Sequence, residues 1–234
     1  MPEVTTVIIE TASVGAPLPV LTAVEVPATP AAPTAIAALA GARPQLDPRY
    51  TFDRFVVDGS NKVAANAARA LAEPGTPRFS PLFLHGGTGM GKTHLMHAIG
   101  AAFLEAQPSA SVIYMSAERF MFEFVQAMRA RDTFAFKARL RSVDLLMIDD
   151  LQFIAGKDAT QEEFFYTINE VMSAGKRLVV SADRSPQGLE GVEARIVSRL
   201  SVGFVGDIAP AGLDLRRAIL ARKLADLSDV RVPA

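Results

Sequence analysis

The chain has 234 residues, half of them hydrophobic, and a formal net charge of −1. That is enough for one domain of ordinary size with an appended segment, and it excludes the global basic field that drives strong duplex binding. The absence of cysteine excludes disulfides, cysteine-ligated zinc and thiol nucleophiles, and fits a reducing compartment.

Residues 1–47 differ in composition from the rest of the chain. Seven of the fifteen prolines fall there, among many Ala, Thr and Val, and every aromatic residue lies at Tyr50 or later. Such a stretch has nothing large to fill a core and prolines that interrupt helices and ladders, so it reads as a disordered linker or tail. Its one ordered candidate is the β-prone run Val4 to Ile9. Met1-Pro2-Glu3-Val4-Thr5 lacks the basic start of a signal peptide. No apolar run is long enough to span a bilayer, and a cytoplasmic location is the default expectation.

From residue 48 onward helices and strands alternate. Ser60-Asn61 suits the N-cap of an alanine-rich helix, Lys62 to Leu71, which Pro74-Gly75-Thr76-Pro77 ends. Strand Leu82 to His85 leads through a glycine-rich turn into a helix from Lys92 to Glu105. A second strand, Ser111 to Met115, precedes two helices, Glu118 to Arg129 and Asp132 to Arg141. The apolar run Val143 to Ile148 ends in Asp149-Asp150. Helix Gln161 to Ser173, strand Leu178 to Ser181, helix Val192 to Leu200, strand Val202 to Ile208 and helix Leu213 to Leu227 complete the pattern. This alternation predicts an α/β domain with a mostly parallel sheet and ligands at the carboxyl ends of its strands.

The most specific signal is Gly86-Gly87-Thr88-Gly89-Met90-Gly91-Lys92-Thr93, a G-x-x-x-x-G-K-[ST] run with a strand before it and a helix after it. Glycines allow positive φ and bring backbone N–H groups around an anion. The helix N-terminus adds partial positive charge, Lys92 reaches the outer phosphates and Thr93 can hold Mg²⁺. A glycine-rich turn that binds nothing would not need all of these features together, so the run predicts a bound nucleoside triphosphate.

Other groups are weaker signals. Asp149 and Asp150 close a buried strand at the edge where the loop opens, so Asp149 would act on Mg²⁺ through water and Asp150 would polarise the attacking water. Asp183, after the next strand, either orients that water, sensing the γ-phosphate, or is a solvated strand end. Arg195 and Arg199 share a helical face; by chemistry alone they are surface charges, with an arginine finger for a neighbouring subunit as the other reading. His94 and His97 lack a metal-site pattern and read as packing or polar groups. Phe120, Met121, Phe122 and Phe124 with Val125 read as core. Arg129, Arg131, Lys137, Arg139 and Arg141 form a basic cluster, ordinarily a solvated face, with single-stranded nucleic acid as the alternative.

From about Leu46 to Pro233 the chain resembles the AAA+ ATPase domain of the bacterial DnaA replication initiator family. Tyr50-Thr51-Phe52-Asp53-Arg54-Phe55-Val56, the run Pro81 to Ala98, Arg141-Ser142-Val143-Asp144, Ile148-Asp149-Asp150-Leu151-Gln152-Phe153, Gln161-Glu162-Glu163-Phe164-Phe165 and Ser181-Ala182-Asp183-Arg184-Ser185-Pro186 carry the likeness, in details similar to alphaproteobacterial members. The resemblance implies a five-stranded AAA+ sheet over residues 48–234, with ATP or ADP and Mg²⁺ bound at residues 86–93 and His94. It implies an adenine pocket near Val56 and Asn61, Asp183 as sensor 1, Arg199 as arginine finger and Arg195 as a second interface arginine. It makes residues 118–141 an initiator-specific insertion, with Val125, Lys137 and Arg139 as candidate contacts to single-stranded origin DNA in an ATP-bound filament.

Full initiators continue into a helical lid and a duplex-binding domain, whereas this sequence stops at Ala234, so recognition of duplex boxes is not expected from it. An expected tryptophan is absent around Leu200 to Phe204, and Ala159 stands where one family DNA-contacting arginine would be. The expected activity is therefore weak ATP hydrolysis with self-association through the nucleotide interface. A DnaA-like regulatory paralogue or a helicase-loader ATPase, with a full-length initiator or the replicative helicase as partner, is the alternative.

Overall fold

The computed structural model describes residues 44–225. The expected linker up to residue 43, its Val4 to Ile9 run and the end of the last expected helix lie outside the described residues. Five strands, Leu82–His85 (β1), Val112–Ser116 (β2), Leu145–Asp149 (β3), Arg177–Ala182 (β4) and Phe204–Asp207 (β5), form one sheet in the order β2-β3-β4-β1-β5. Every neighbouring pair is parallel. The register sets Ser116 against Asp149, and His85 against both Ala182 and Asp207. The strands therefore end level with one another, and the loop after β1 opens beside the acids that close β3.

Both sheet faces are covered, which is why the strands read as unbroken apolar runs rather than alternating ones. Leu82, Leu84, Leu145, Met147 and Val179 pack with helices Lys62–Ala72 (α1) and Lys92–Ala106 (α2). Phe83, Leu146, Ile148, Leu178 and Val180 pack on the other side, against helices Ala117–Arg129 (α3), Thr133–Arg141 (α4), Asp158–Ser173 (α5) and Ala194–Ser201 (α6). A last helix, Leu213–Ala225 (α7), follows β5. The alanines of α1 let it lie close on the sheet: a Cβ on Gly206 would meet that of Ala64 at 3.2 Å. Arg177, buried at the start of β4, donates to the carbonyls of Leu71, Glu73 and Gly75 and so satisfies the carboxyl end of α1.

Several boundaries differ from the sequence expectation. Asn61 does not cap α1 with its side chain. Its amide instead donates to Val56 O and accepts from Asp58 N–H, both at 3.0 Å. Val202 is outside β5 because a Cβ on Gly203 would lie 1.9 Å from Pro81 O, so the chain makes a close crossing before Phe204. Phe120 and Phe124 are core as expected, but Phe122 is 60% exposed.

The composition break at residue 47 falls inside the folded chain. Leu46 packs against Gly100 and Met147, and Asp47 N–H donates to His97 Nδ1 at 2.8 Å. Tyr50 stacks on His94, whose Nε2 meets Thr51 O at 2.8 Å. Residues 44–55 thus form a strap over α2, fastened by the two histidines. Because His97 Nδ1 accepts, its proton sits on Nε2, which is buried without a hydrogen-bond partner.

Burial holds the His97 imidazole below its ordinary value. The unfolded chain therefore binds more protons than the folded one as the pH drops through the imidazole range, and stability falls in that direction. Denaturation midpoints should decline between about pH 7 and pH 5. In His97→Gln, which keeps an acceptor for Asp47 N–H without titrating, the decline should be smaller; urea titrations at several pH values measure both.

Candidate nucleotide site

The turn from β1 to α2 is shaped by glycines in conformations other residues avoid. Gly86 has φ +152, and a Cβ there would sit 2.4 Å from Ile208 O. Gly91 has φ +101, and its Cβ would meet the Phe55 ring at 2.8 Å. Gly87, Thr88 and Gly89 are exposed, and Met90 N–H closes on Gly87 O at 3.4 Å. The loop leads directly into α2, whose first N–H groups have no partner within the helix, an arrangement suited to phosphate. Lys92 bends back over the loop, donating to Gly86 O at 2.8 Å and Gly87 O at 3.1 Å.

Across the edge, Asp149 is 3% exposed and surrounded by hydroxyls. Thr93 and Tyr114 each donate to its Oδ2 at 2.8 Å, and Ser181 donates to its Oδ1. Burial, then the Asp149 charge, pushes the Tyr114 hydroxyl far above its ordinary value, so it stays a donor. None of these partners is a cation, so the carboxylate remains uncompensated beside a threonine hydroxyl. Two hard oxygens so placed fit Mg²⁺. Among the described residues no cluster of three or more His, Asp or Glu could hold a metal, so an ion here would complete its shell with phosphate and water.

Asp150 follows with φ +59, a left-handed conformation unusual for a non-glycine residue. Its N–H donates to Ser181 Oγ at 2.9 Å, and its Oδ1 accepts from Gln152 Nε2 at 3.1 Å. The other end of the Gln152 amide accepts from Asp183 N–H at 3.2 Å. Gln152 thus spans the ends of β3 and β4. The Asp183 carboxylate is held by Nε and Nη2 of Arg184, whose hydrogen bonds keep it below the usual carboxylate range.

The remaining candidates divide. Val56 and Asn61 are brought together by their hydrogen bond, one residue from Phe55, which lies on Gly91. The His94 imidazole is engaged with Thr51 and Tyr50, so its backbone alone remains to face phosphate. Arg195 lies over the Phe165 ring and pairs with Glu193, and Arg199 donates to Asn169 on α5. Among the described residues neither arginine shares a hydrogen bond or ion pair with residues 86–93, Asp149 or Asp150. Gln161 fixes the entry to α6, donating to Gly191 O and accepting from Glu193 N–H.

The basic cluster on α3 and α4 is not simply a solvated face. Lys137 and Arg141 converge on Glu163, which is 4% exposed, at 2.8 and 3.0 Å, and Arg139 pairs with Glu123. Val125 is half-buried on α3. Sequence reasoning missed Tyr114, Ser181, Gln152, Glu123 and Glu163. The signals for Tyr114 and Ser181 were polar side chains within largely apolar strands.

With the geometry in place, comparison with known proteins identifies the family. The family model for the bacterial DnaA ATPase domain matches residues 46–207. The chain belongs to that family. The DnaA initiator of Zymomonas mobilis is 60% identical over 189 residues, covering 81% of this chain and 39% of the relative. That of Sphingopyxis alaskensis is 57% identical over 204 residues, covering 87% and 44%. The chain thus spans less than half the length of the curated DnaA relatives it matches. Domain III of Thermotoga maritima DnaA superposes with a TM-score of 0.76 at 38% identity, over 80% of this chain and 78% of that one. AMPPCP-bound DnaA from Aquifex aeolicus gives 0.75 at 33%, over 81% and 58%. The DnaC helicase loader, at 19% identity and a TM-score of 0.56, shares the fold alone.

For this DnaA-family domain, the ion pairs between α4 and Glu163 carry a prediction. Glu163→Gln leaves Lys137 and Arg141 facing a neutral amide in a largely dry position. Unfolding free energy should fall by about 1–3 kcal/mol, less than for a wholly buried pair because both cations keep some water. Urea denaturation with an unchanged m-value is the measurement.

Proposed function

We propose that this chain is the ATP-binding, slowly hydrolysing AAA+ core of a DnaA-type replication initiator that assembles on origin DNA in its ATP state. The observation that carries the reading is the hydrogen bond from Thr93, which follows Lys92 at the end of the glycine loop, to the buried Asp149, whose three side-chain partners are all hydroxyls. Similar DnaA structures solved with AMPPCP, and with AMPPCP and single-stranded DNA, support it.

In this reading the loop amides and the start of α2 hold the phosphates of ATP or ADP. Lys92 exchanges the carbonyls of Gly86 and Gly87 for the outer phosphates. Thr93 would hold Mg²⁺ directly and Asp149 through water; the ion, when bound, neutralises charge on the phosphate oxygens. Asp150 takes the proton side of the attacking water, and Asp183 orients that water once its carboxylate turns from Arg184. The base lies near Val56 and Asn61. Arg199, with Arg195 beside it, is offered to the nucleotide of a second copy. Positioning and charge neutralisation do the work, and no covalent intermediate is needed.

Single-stranded DNA would lie along α3 and α4, near Val125, Lys137 and Arg139. Both cations are already ion-paired, so a strand must share them with Glu163 and Glu123. Arg129 and Arg131, exposed at the turn between the helices, supply further positive charge. Among the described residues no helix is long and apolar enough to cross a membrane, and cytoplasmic action fits a DNA-bound role.

Two substitutions test the reading. Lys92→Ala should abolish binding of a fluorescent ATP analogue, and unchanged affinity would refute the site. Arg199→Ala should leave that binding intact while lowering ATP-dependent assembly and turnover. Equal light scattering and equal hydrolysis in this variant would remove the trans role of α6.

A further inference from the structure

The last residue of β3 is flanked by a hydroxyl from each neighbouring strand. Tyr114 of β2 donates to Asp149 Oδ2, and Ser181 of β4, 0% exposed, donates to Asp149 Oδ1. Ser181 lies level with Asp149 because its predecessor Val180 pairs with Ile148. The same Ser181 oxygen accepts from Asp150 N–H. One side chain therefore fixes the carboxylate of the first acid and the backbone of the second. Tyr114 is held in turn by an edge contact with His97, ring centroids 4.4 Å apart.

We propose that Tyr114 and Ser181 form a hydroxyl clamp that sets the Asp149 carboxylate for the Mg²⁺–nucleotide complex. They are positioning residues rather than catalytic ones. The inference rests on the ATP–Mg²⁺ reading of the loop and names what that reading lacks, the groups that keep the metal-side carboxylate in place.

Competing demands converge on this single acid. Of the three hydroxyls on Asp149, that of Thr93 is the one a metal ion would claim. Were that hydroxyl drawn to an ion, Oδ2 would still keep Tyr114 and Oδ1 would keep Ser181, so both oxygens would stay anchored. A carboxylate without those anchors would have to be ordered by the ion itself, at a cost in rotamer entropy and metal affinity. Neutral donors suit the task because a lysine or arginine in the same place would cancel the charge that attracts the cation. The bond from Asp150 N–H to Ser181 extends the effect to the next residue, which sits in a conformation that needs support.

The test is a Mg²⁺ titration of binding to a fluorescent ATP analogue, which does not depend on turnover. The readout is the Mg²⁺ concentration giving half of the metal-dependent gain in affinity. For Tyr114→Phe and for Ser181→Ala it should rise about tenfold or more, the size typical when a group supporting a metal ligand is removed. Ser181→Thr, which keeps the hydroxyl, should restore most of the loss. Tyr114→Phe preserves ring shape, so it decides the question even if Ser181→Ala melts early by circular dichroism. Half-saturation equal to the parent's in Tyr114→Phe would overturn the clamp and leave the ATP reading standing. A parent chain whose nucleotide binding ignores Mg²⁺ would overturn that reading and the clamp with it.

Discussion

A carboxylate with almost no access to water must be met by donors, and how it is met decides what the surrounding structure can do. Around Asp149 the donors are the hydroxyls of Thr93, Tyr114 and Ser181, drawn from α2, β2 and β4. Hydroxyls satisfy the hydrogen-bonding capacity of the acid without neutralising it. The fold therefore delivers an oriented negative charge to the first turn of α2, through Thr93, the residue after Lys92. The level strand ends make this possible, since the loop after β1 and the acid closing β3 arrive at the same edge although β4 lies between their strands.

The charges on α3 and α4 obey a different logic. Glu163 projects from α5 and takes Lys137 and Arg141, while Glu123 of α3 takes Arg139 from α4. These pairs tie the two helices to each other and to the body of the domain. Substituting Lys137 or Arg139 therefore changes stability as well as the surface a strand of DNA would meet, and DNA-binding data on such variants need a folding measurement beside them. The exposed Phe122 and Phe134 show that these two helices also keep apolar surface in water.

Much of the fold is legible in the sequence because its signals are local. The glycine loop, the apolar strands and the capping residues Ser116 and Asp132 each act over a few residues, and each cap accepts the backbone N–H three residues on. Groups whose meaning depends on distant partners are not legible. Nothing near Lys137 in sequence announces Glu163, and Tyr114 and Ser181 acquire their role only when β2 and β4 flank β3. Asn61 reads as a cap because the propensity of Asn for helix starts does not reveal that Val56 O and Asp58 N–H are closer competitors for its amide. The linker boundary falls too late in the sequence reading for a similar reason. Leu46 is a lone apolar residue in a proline-rich stretch, and only the gap over Gly100 makes it part of the core.

The position of α6 bears on how such a domain completes its reaction. Arg195 rests on Phe165 and pairs with Glu193, and Arg199 bonds to the neutral amide of Asn169, so both stay near the surface. A hydrogen bond between an arginine and a neutral amide is easily exchanged for a phosphate contact, because the phosphate brings a charge that Asn169 lacks. An arginine buried against a carboxylate could not be released so readily. In the proposed reading the loop, Lys92, Thr93 and the acids would bind a nucleotide within one chain, while the arginines of α6 show no bond to their own loop among the described residues. Binding by one copy and catalysis by two would follow from that separation, linking nucleotide state to assembly without requiring any change in the sheet.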